Sequence, residues 1–135
     1  MQQQNKMIKI LELPKILDKR GNLTYLENNN QIPFEIKRVF WTYDVPGGEQ
    51  RGGHAYKTQE EIIISLSGSF DVIVTKKDGS IEKVSMNRSH YGLYLPALTW
   101  RHIENFSTNA LSLHLSSLAF EKLDYITDFN LFKDY

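Results

Sequence analysis

Cysteine is absent from the 135 residues, which removes disulfides, thiolate zinc sites, iron–sulfur clusters and cysteine nucleophiles at once. An excess of either charge is missing too, because sixteen Lys and Arg balance sixteen Asp and Glu. Without a basic surplus there is no store of cations to neutralise a run of phosphates, so nucleic-acid binding is disfavoured. Long apolar runs are lacking: stretches such as Ile62-Ile63-Ile64 fall far below the roughly 18 residues that cross a bilayer. The polar, Gln-rich 1–6 segment also lacks the apolar core of about 7–15 residues that a secretory signal needs. No membrane association is expected, and the expected location is the cytoplasm. These absences leave the four histidines as the chief candidates for chemistry near neutral pH.

What is present is a chain of 15.7 kDa with 41% apolar and 12% aromatic residues, enough for one domain with its own core. We take 1–7 as a flexible lead-in and 8–135 as that domain. Short segments rich in Val, Ile, Leu, Phe and Tyr are separated by Gly, Pro, Asn or Asp about every eight to twelve residues, the spacing of an all-β sandwich or barrel. The expected strands are 8–13, 23–27, 35–44, 53–57, 61–67, 69–75, 81–85, 91–95, 100–106 and 110–117. Asp78-Gly79 marks a hairpin between the strands around Val72 and Val84. Leu111, Leu113 and Leu115 alternate with Ser112, His114 and Ser116, giving one apolar and one polar face, either of which suits the inner wall of a barrel holding a polar ligand. Residues 121–126 are expected to form a short helix, and Phe129, Phe132 and Tyr135 a tail that docks on the body.

The chemistry concentrates in Gly48-Glu49-Gln50-Arg51-Gly52-Gly53-His54-Ala55-Tyr56, continuing to Glu61 and Gly68. This stretch resembles the first motif of the cupins, small jelly-roll barrels, with Tyr56 where that motif has its second histidine. Gly92-Leu93-Tyr94-Leu95-Pro96, followed by His102 and Asn105, is similar to the second motif. In metal-binding cupins two histidines, the Glu and a later histidine converge on one cation. Here only His54, Glu61 and His102 would be left for it, and a phenol with a pKa near 10 is a poor fourth ligand. No metal and no other cofactor is expected. Strand alternation puts His54 with Tyr56 on one face, Trp100, His102 and Glu104 on another, and Arg38 beside Phe40. Turned inward together, these faces would supply two imidazoles, a phenol and an arginine, a set suited to acid–base chemistry on an anionic ligand. His90, beside a turn, and His114 read more readily as ordinary structural histidines.

The combination of 36–40, Arg51-Gly52-Gly53-His54-Ala55-Tyr56-Lys57, Gly92-Leu93-Tyr94, Trp100-Arg101-His102 and Asp124-Tyr125-Ile126 resembles the sugar 3,4-ketoisomerase family of cupins over nearly the whole chain. The resemblance implies a homodimer that needs no metal and moves the ketone of dTDP-4-oxo-6-deoxyglucose from C4 to C3, in the making of unusual sugars of surface glycans. It implies His54 as catalytic base, with Tyr56 or His102 polarising the carbonyl or relaying protons. Arg38 and Arg51 would lie near the nucleotide sugar, and Trp41, Tyr94 and Trp100 would contact thymine or sugar. Tyr56 and Phe40 depart from the family's usual His and Tyr. Two alternatives stand beside this reading: a nucleotide-sugar epimerase of the jelly-roll type, and a non-catalytic cupin that binds a sugar nucleotide.

Overall fold

The computed structural model describes residues 6–135. Two five-stranded antiparallel sheets dominate. Sheet I contains β1 (Lys9–Glu12), β4 (Arg38–Thr42), β6 (Glu61–Ser67), β9 (Tyr91–Leu95) and β11 (Leu111–Ser116), in the order β1-β9-β6-β11-β4. Sheet II contains β5 (Arg51–Tyr56), β7 (Phe70–Thr75), β8 (Ile81–Met86), β10 (Trp100–Glu104) and β12 (Tyr125–Ile126), in the order β12-β5-β10-β7-β8. A two-stranded ribbon of β2 (Lys15–Ile16) and β3 (Leu23–Thr24) pairs with neither sheet. This crossed strand order is that of the jelly-roll barrel expected from the sequence.

The hairpin forms as expected, β7 pairing antiparallel with β8 from Phe70 opposite Met86 to Thr75 opposite Ile81, with Gly79 at φ 89° in the connection. The helical tail is different. Residues Lys122–Asp124 make only a 3₁₀ turn, the chain then pairs as β12 with β5, and the one α-helix among the described residues, α1, is the single turn Phe129–Phe132. Partner strand β5 offers an open edge, and its hydrogen bonds outweigh the weak helical preference of so short a segment. The expected lead-in falls largely outside the described residues; within it, Lys6 pairs with Glu60 at 2.9 Å.

Side-chain parity divides the barrel interior into two halves. Toward the closed end, Ile63, Phe70, Val72, Val74, Met86, Leu93, Leu95, Ile103 and Phe106 form an apolar core between the sheets. Toward the edge where β4 faces β5 and β12, the inward residues include His54, Tyr56, Glu61, Arg101 and His114, and a cavity remains. The leucines of β11 point outward. Leu115 packs with Ile62, Ile64 and Tyr94 beneath Leu13 and Ile32 from the N-terminal segments, so part of the outer face of sheet I is covered too and the polar face of β11 becomes the inner wall.

Gly68 closes the β6–β7 connection at φ 66°. A Cβ there would lie 2.9 Å from Ala110 Cα and collide with Ser107 Oγ. Gly68→Ala is therefore expected to lower the unfolding free energy by about 2–4 kcal/mol, from the left-handed backbone penalty plus overpacking, as measured by urea titration.

Candidate active site

The cavity, about 270 Å³, is lined by β4 (Phe40, Thr42), β5 (Arg51, Gly52, His54, Tyr56), β6 (Glu61, Ile63), β10 (Arg101, Ile103), β11 (His114) and Tyr125 of β12. A larger groove of about 660 Å³ lies on the outer face of sheet I beside Tyr25, His90 and Leu113. What distinguishes the smaller one is its chemistry. Three buried polar atoms there or at its wall have no hydrogen-bond partner among the described residues: His54 Nε2, Arg101 Nη2 and Arg38 Nε. Buried polar groups are normally satisfied within the protein, so a cluster of unsatisfied ones marks a place prepared for a ligand.

The local fold of β5 explains how these groups meet. His54 pairs with Arg101, yet Arg51 pairs with Ile103, so β5 holds one residue more than β10 over this interval. That is a β-bulge, and Gly52 carries it at φ 80°. The bulge leaves His54 and Tyr56 facing inward and turns exposed Arg51 to the cavity mouth.

At the cavity base, Arg101 Nη1 donates to Glu61 Oε1 in a short ion pair, with both side chains 2% exposed. The other Glu61 oxygen meets His114 Nδ1 at 3.1 Å, and His114 Nε2 meets Ser112 Oγ at 2.9 Å. Burial alone would raise the Glu61 pKa, but Arg101 and His114 more than compensate and hold it at about 2. Its oxygens are thus committed to protein donors, with a guanidinium where a cation would sit. His102 cannot complete a metal site either, since it faces the opposite side of β10 and bonds Glu104 at 2.7 Å. Among the described residues no group of three His, Asp or Glu side chains is arranged to hold a metal ion.

His54 is mostly buried, and burial with the nearby Arg101 charge depresses its pKa to about 4. It is neutral at pH 7. The Tyr56 phenol is pushed the other way, above its ordinary value, by burial and by the Glu61 carboxylate. Its ring lies 4.7 Å from His54 and 4.8 Å from Tyr125, and the Arg101 guanidinium lies 5.0 Å from its centroid. Arg38 stands behind Tyr125, its Nη2 donating to the Tyr125 hydroxyl at 3.4 Å and to Gln59 Oε1 at 3.5 Å.

Residues 6–135 match the family described as FdtA: WxcM-like, C-terminal. The chain belongs to this family. A TDP-4-oxo-6-deoxy-alpha-D-glucose-3,4-oxoisomerase of Aneurinibacillus thermoaerophilus is 37% identical over 128 residues, 94% of this chain and 91% of that protein. A TDP-quinovose 3,4-ketoisomerase from Campylobacter jejuni superposes with TM-score 0.90 at 41% identity, covering 96% and 99% of the two chains. A sugar 3,4-ketoisomerase from Thermoanaerobacterium thermosaccharolyticum, solved in complex with TDP, superposes with TM-score 0.91 at 31% identity over 94% and 92%.

Within this WxcM-like site the fold brings together His54, Tyr56 and Arg51, with Arg38 adjoining. It separates the other four candidates. His102 and Trp100 project from the outer side of β10, Trp100 packing on Phe129 and Phe132 of the tail. Trp41, 56% exposed, lies on the outer side of edge strand β4. Tyr94 belongs to the outer cluster of sheet I and donates a short hydrogen bond to Glu60. For the candidates on β10 and β9 the cause is the same. Inward residues on β10 and β9 are Arg101, Ile103, Leu93 and Leu95, one position away from the candidates, and a one-residue shift reverses every side chain. His114, read as structural, lines the cavity. Arg101 and Tyr125 were missed: on β10, parity alone decides which side chain turns inward, and no periodicity signals a two-residue strand at 125.

Two of the perturbed groups, His54 and Glu61, make acid destabilising. The unfolded chain protonates His54 near 6.5 whereas the folded chain waits until about 4, so stability is lost as pH falls through that window. Glu61 continues the loss from 4.5 toward about 2. His54→Asn is expected to flatten the dependence between pH 6.5 and 4, worth about 3 kcal/mol at most, in urea unfolding curves taken at stepped pH. Glu61→Gln strands Arg101 and is expected to cost about 3–5 kcal/mol at pH 7.

Proposed function

We propose that this protein is a TDP-sugar 3,4-ketoisomerase, moving the carbonyl of TDP-4-oxo-6-deoxyglucose from C4 to C3 by proton transfer through an enediol. One observation carries the reading: a neutral, buried imidazole, His54, whose Nε2 has no partner among the described residues, faces a small cavity walled by phenols and guanidinium groups.

The reaction needs no redox cofactor. A C3 proton lies α to the C4 carbonyl, so its removal is assisted by charge flowing to O4. His54 takes that proton and returns it at C4. A base must be unprotonated to act, and His54 meets this condition over the whole neutral range because its pKa is depressed. Charge developing on the sugar oxygens is met by the free Nη2 of Arg101 in a buried setting where such a donor is most effective. At about 270 Å³ the cavity suits a sugar ring and not a whole nucleotide sugar. The diphosphate would then pass the mouth, where Arg51 offers charge-assisted hydrogen bonds.

The finer parts of the proposal are a homodimer, a cytoplasmic location and a role in making surface-glycan sugars. For the dimer, support comes from β4, an edge strand of sheet I whose outer side exposes Val39 and Trp41, with Tyr43 just past its end and Leu66 also exposed. An unpaired edge bearing an apolar patch is the kind of surface that a second copy covers. Trp41→Asp is expected to shift the sedimentation coefficient from dimer to monomer; an unchanged value would move the interface elsewhere.

The activity test incubates the protein with TDP-4-oxo-6-deoxyglucose in heavy water and follows the sugar carbons by nuclear magnetic resonance. The expected result is a C3 ketone, with His54→Asn reducing the rate about 10²–10⁴-fold. Exchange with the carbonyl left at C4 would indicate an epimerase, and no exchange at all a binding protein. In the free enzyme the acid limb of kcat/KM is expected near pH 4, where His54 takes its proton, and not near 6.5.

A further inference from the structure

Tyr125 is the second phenol of the cavity, and its hydrogen bonds set it apart from Tyr56. A tyrosine hydroxyl carries one proton and two acceptor lone pairs. Tyr56 donates its proton to the Tyr125 oxygen at 3.5 Å, and Arg38 Nη2 donates to the same oxygen at 3.4 Å. The Tyr125 oxygen therefore accepts from two donors, while its own proton has no acceptor among the described residues. Tyr56 is 1% exposed and its proton is committed. Tyr125 is only half-buried, lines the cavity, and has its ring 5.2 Å from His54. Of the two hydroxyls, Tyr125 is the one able to present a proton to a ligand.

Its placement is built in. Tyr125 lies directly opposite Tyr56 in the β12–β5 register, and cross-strand partners share a face of the sheet. Next to it, Asp124 clamps the strap to the barrel. One carboxylate oxygen accepts from Thr58 N at 3.0 Å and Thr58 Oγ1 at 2.7 Å, and the other from Gln59 N at 3.0 Å.

We infer that Tyr125 is a catalytic residue that carries the oxygen-to-oxygen proton transfer, complementary to the carbon-to-carbon transfer by His54; this rests on the ketoisomerase reading above. In the first half-reaction His54 Nε2 takes the C3 proton. The C3–H electron pair becomes the C3–C4 double bond, and the carbonyl π pair moves to O4, which takes the Tyr125 proton. The product is a neutral enediol, and the Tyr125 phenolate is stabilised by the donors from Arg38 and Tyr56. In the second half-reaction the phenolate takes the O3 proton. The O3–H pair forms the C3 carbonyl, and the double-bond pair takes the proton held by His54 at C4. Both residues return to their starting states, and no outside oxidant or reductant is needed.

Tyr125→Phe removes one oxygen and keeps the ring that packs on His54, Tyr56 and Phe120. With wild-type enzyme and TDP-4-oxo-6-deoxyglucose, carbonyl migration is measured first, so that failure there counts against the ketoisomerase reading and not against Tyr125. Given turnover, Tyr125→Phe is expected to lower kcat about 10²-fold or more with KM within about threefold, whereas a packing role alone would alter KM and thermal stability and spare kcat. Tyr125→His stands in if the Phe variant does not fold. It is expected to recover part of the rate, with a new limb in its kcat–pH profile near the imidazole value of ~6.5. A kcat within about threefold of wild type in the folded Phe variant, or a His variant with no new limb, would overturn the inference.

Discussion

The site depends on one buried ion pair. Glu61 on sheet I and Arg101 on sheet II meet across the barrel, each almost wholly removed from water. Burying two charges is costly, and the Coulombic return alone does not make such a pair a source of stability. What it does is fix a field inside a cavity that would otherwise be filled with side chains. Arg101 spends one donor on Glu61 and another on the Thr99 carbonyl, leaving Nη2 free. The positive charge helps keep His54 unprotonated, and the carboxylate helps keep Tyr56 protonated. One pair thus sets the protonation states of a base and a phenol in opposite directions.

The same pair marks the boundary between the two halves of the interior. On β6, Glu61 faces the cavity while Ile63, two residues on, lines it and also belongs to the apolar core. On β10, Arg101 and Ile103 repeat the pattern. A polar half within so small a barrel removes apolar burial from the inside, and the outer face of sheet I compensates. There Leu113 and Leu115 of β11, with Ile62, Ile64 and Tyr94, pack against the N-terminal segments. The alternation of Leu and Ser or His on β11 is how one strand serves both needs.

Sequence patterns conveyed the fold and the heart of the site for identifiable reasons. Alternation and turn residues report strand existence directly, and the Gly48 to Gly68 spacing located His54, Tyr56 and Glu61. Arg51 reached the cavity mouth through the bulge at Gly52, a feature glycine pairs permit. Patterns failed where parity had to be chosen: Trp100-Arg101-His102-Ile103-Glu104 carries polar and apolar groups on both faces, so local sequence does not say which turns inward. The decisive information was non-local, namely that Glu61 across the barrel requires a cation and finds Arg101. The helix expected at 121–126 failed likewise, because the open edge of β5 is a tertiary fact.

That edge explains why the C-terminal strap can serve chemistry as well as packing. β12 contributes only two residues to sheet II, too few to hold position by ladder hydrogen bonds alone. Its hold comes from either side: Asp124 fastens it to Thr58 and Gln59, while Ile126 and Phe132 bury against Ala55, with Trp100 and Phe129 alongside. Both anchors lie outside the cavity, so the position of the strand at Tyr125 does not depend on the Tyr125 hydroxyl. The hydroxyl is left to hydrogen bonding with Arg38, Tyr56 and whatever enters the cavity. A short strand pinned on both sides therefore supplies a fixed side chain with an uncommitted proton, which a strand in the middle of a sheet, packed on all sides, would not readily provide.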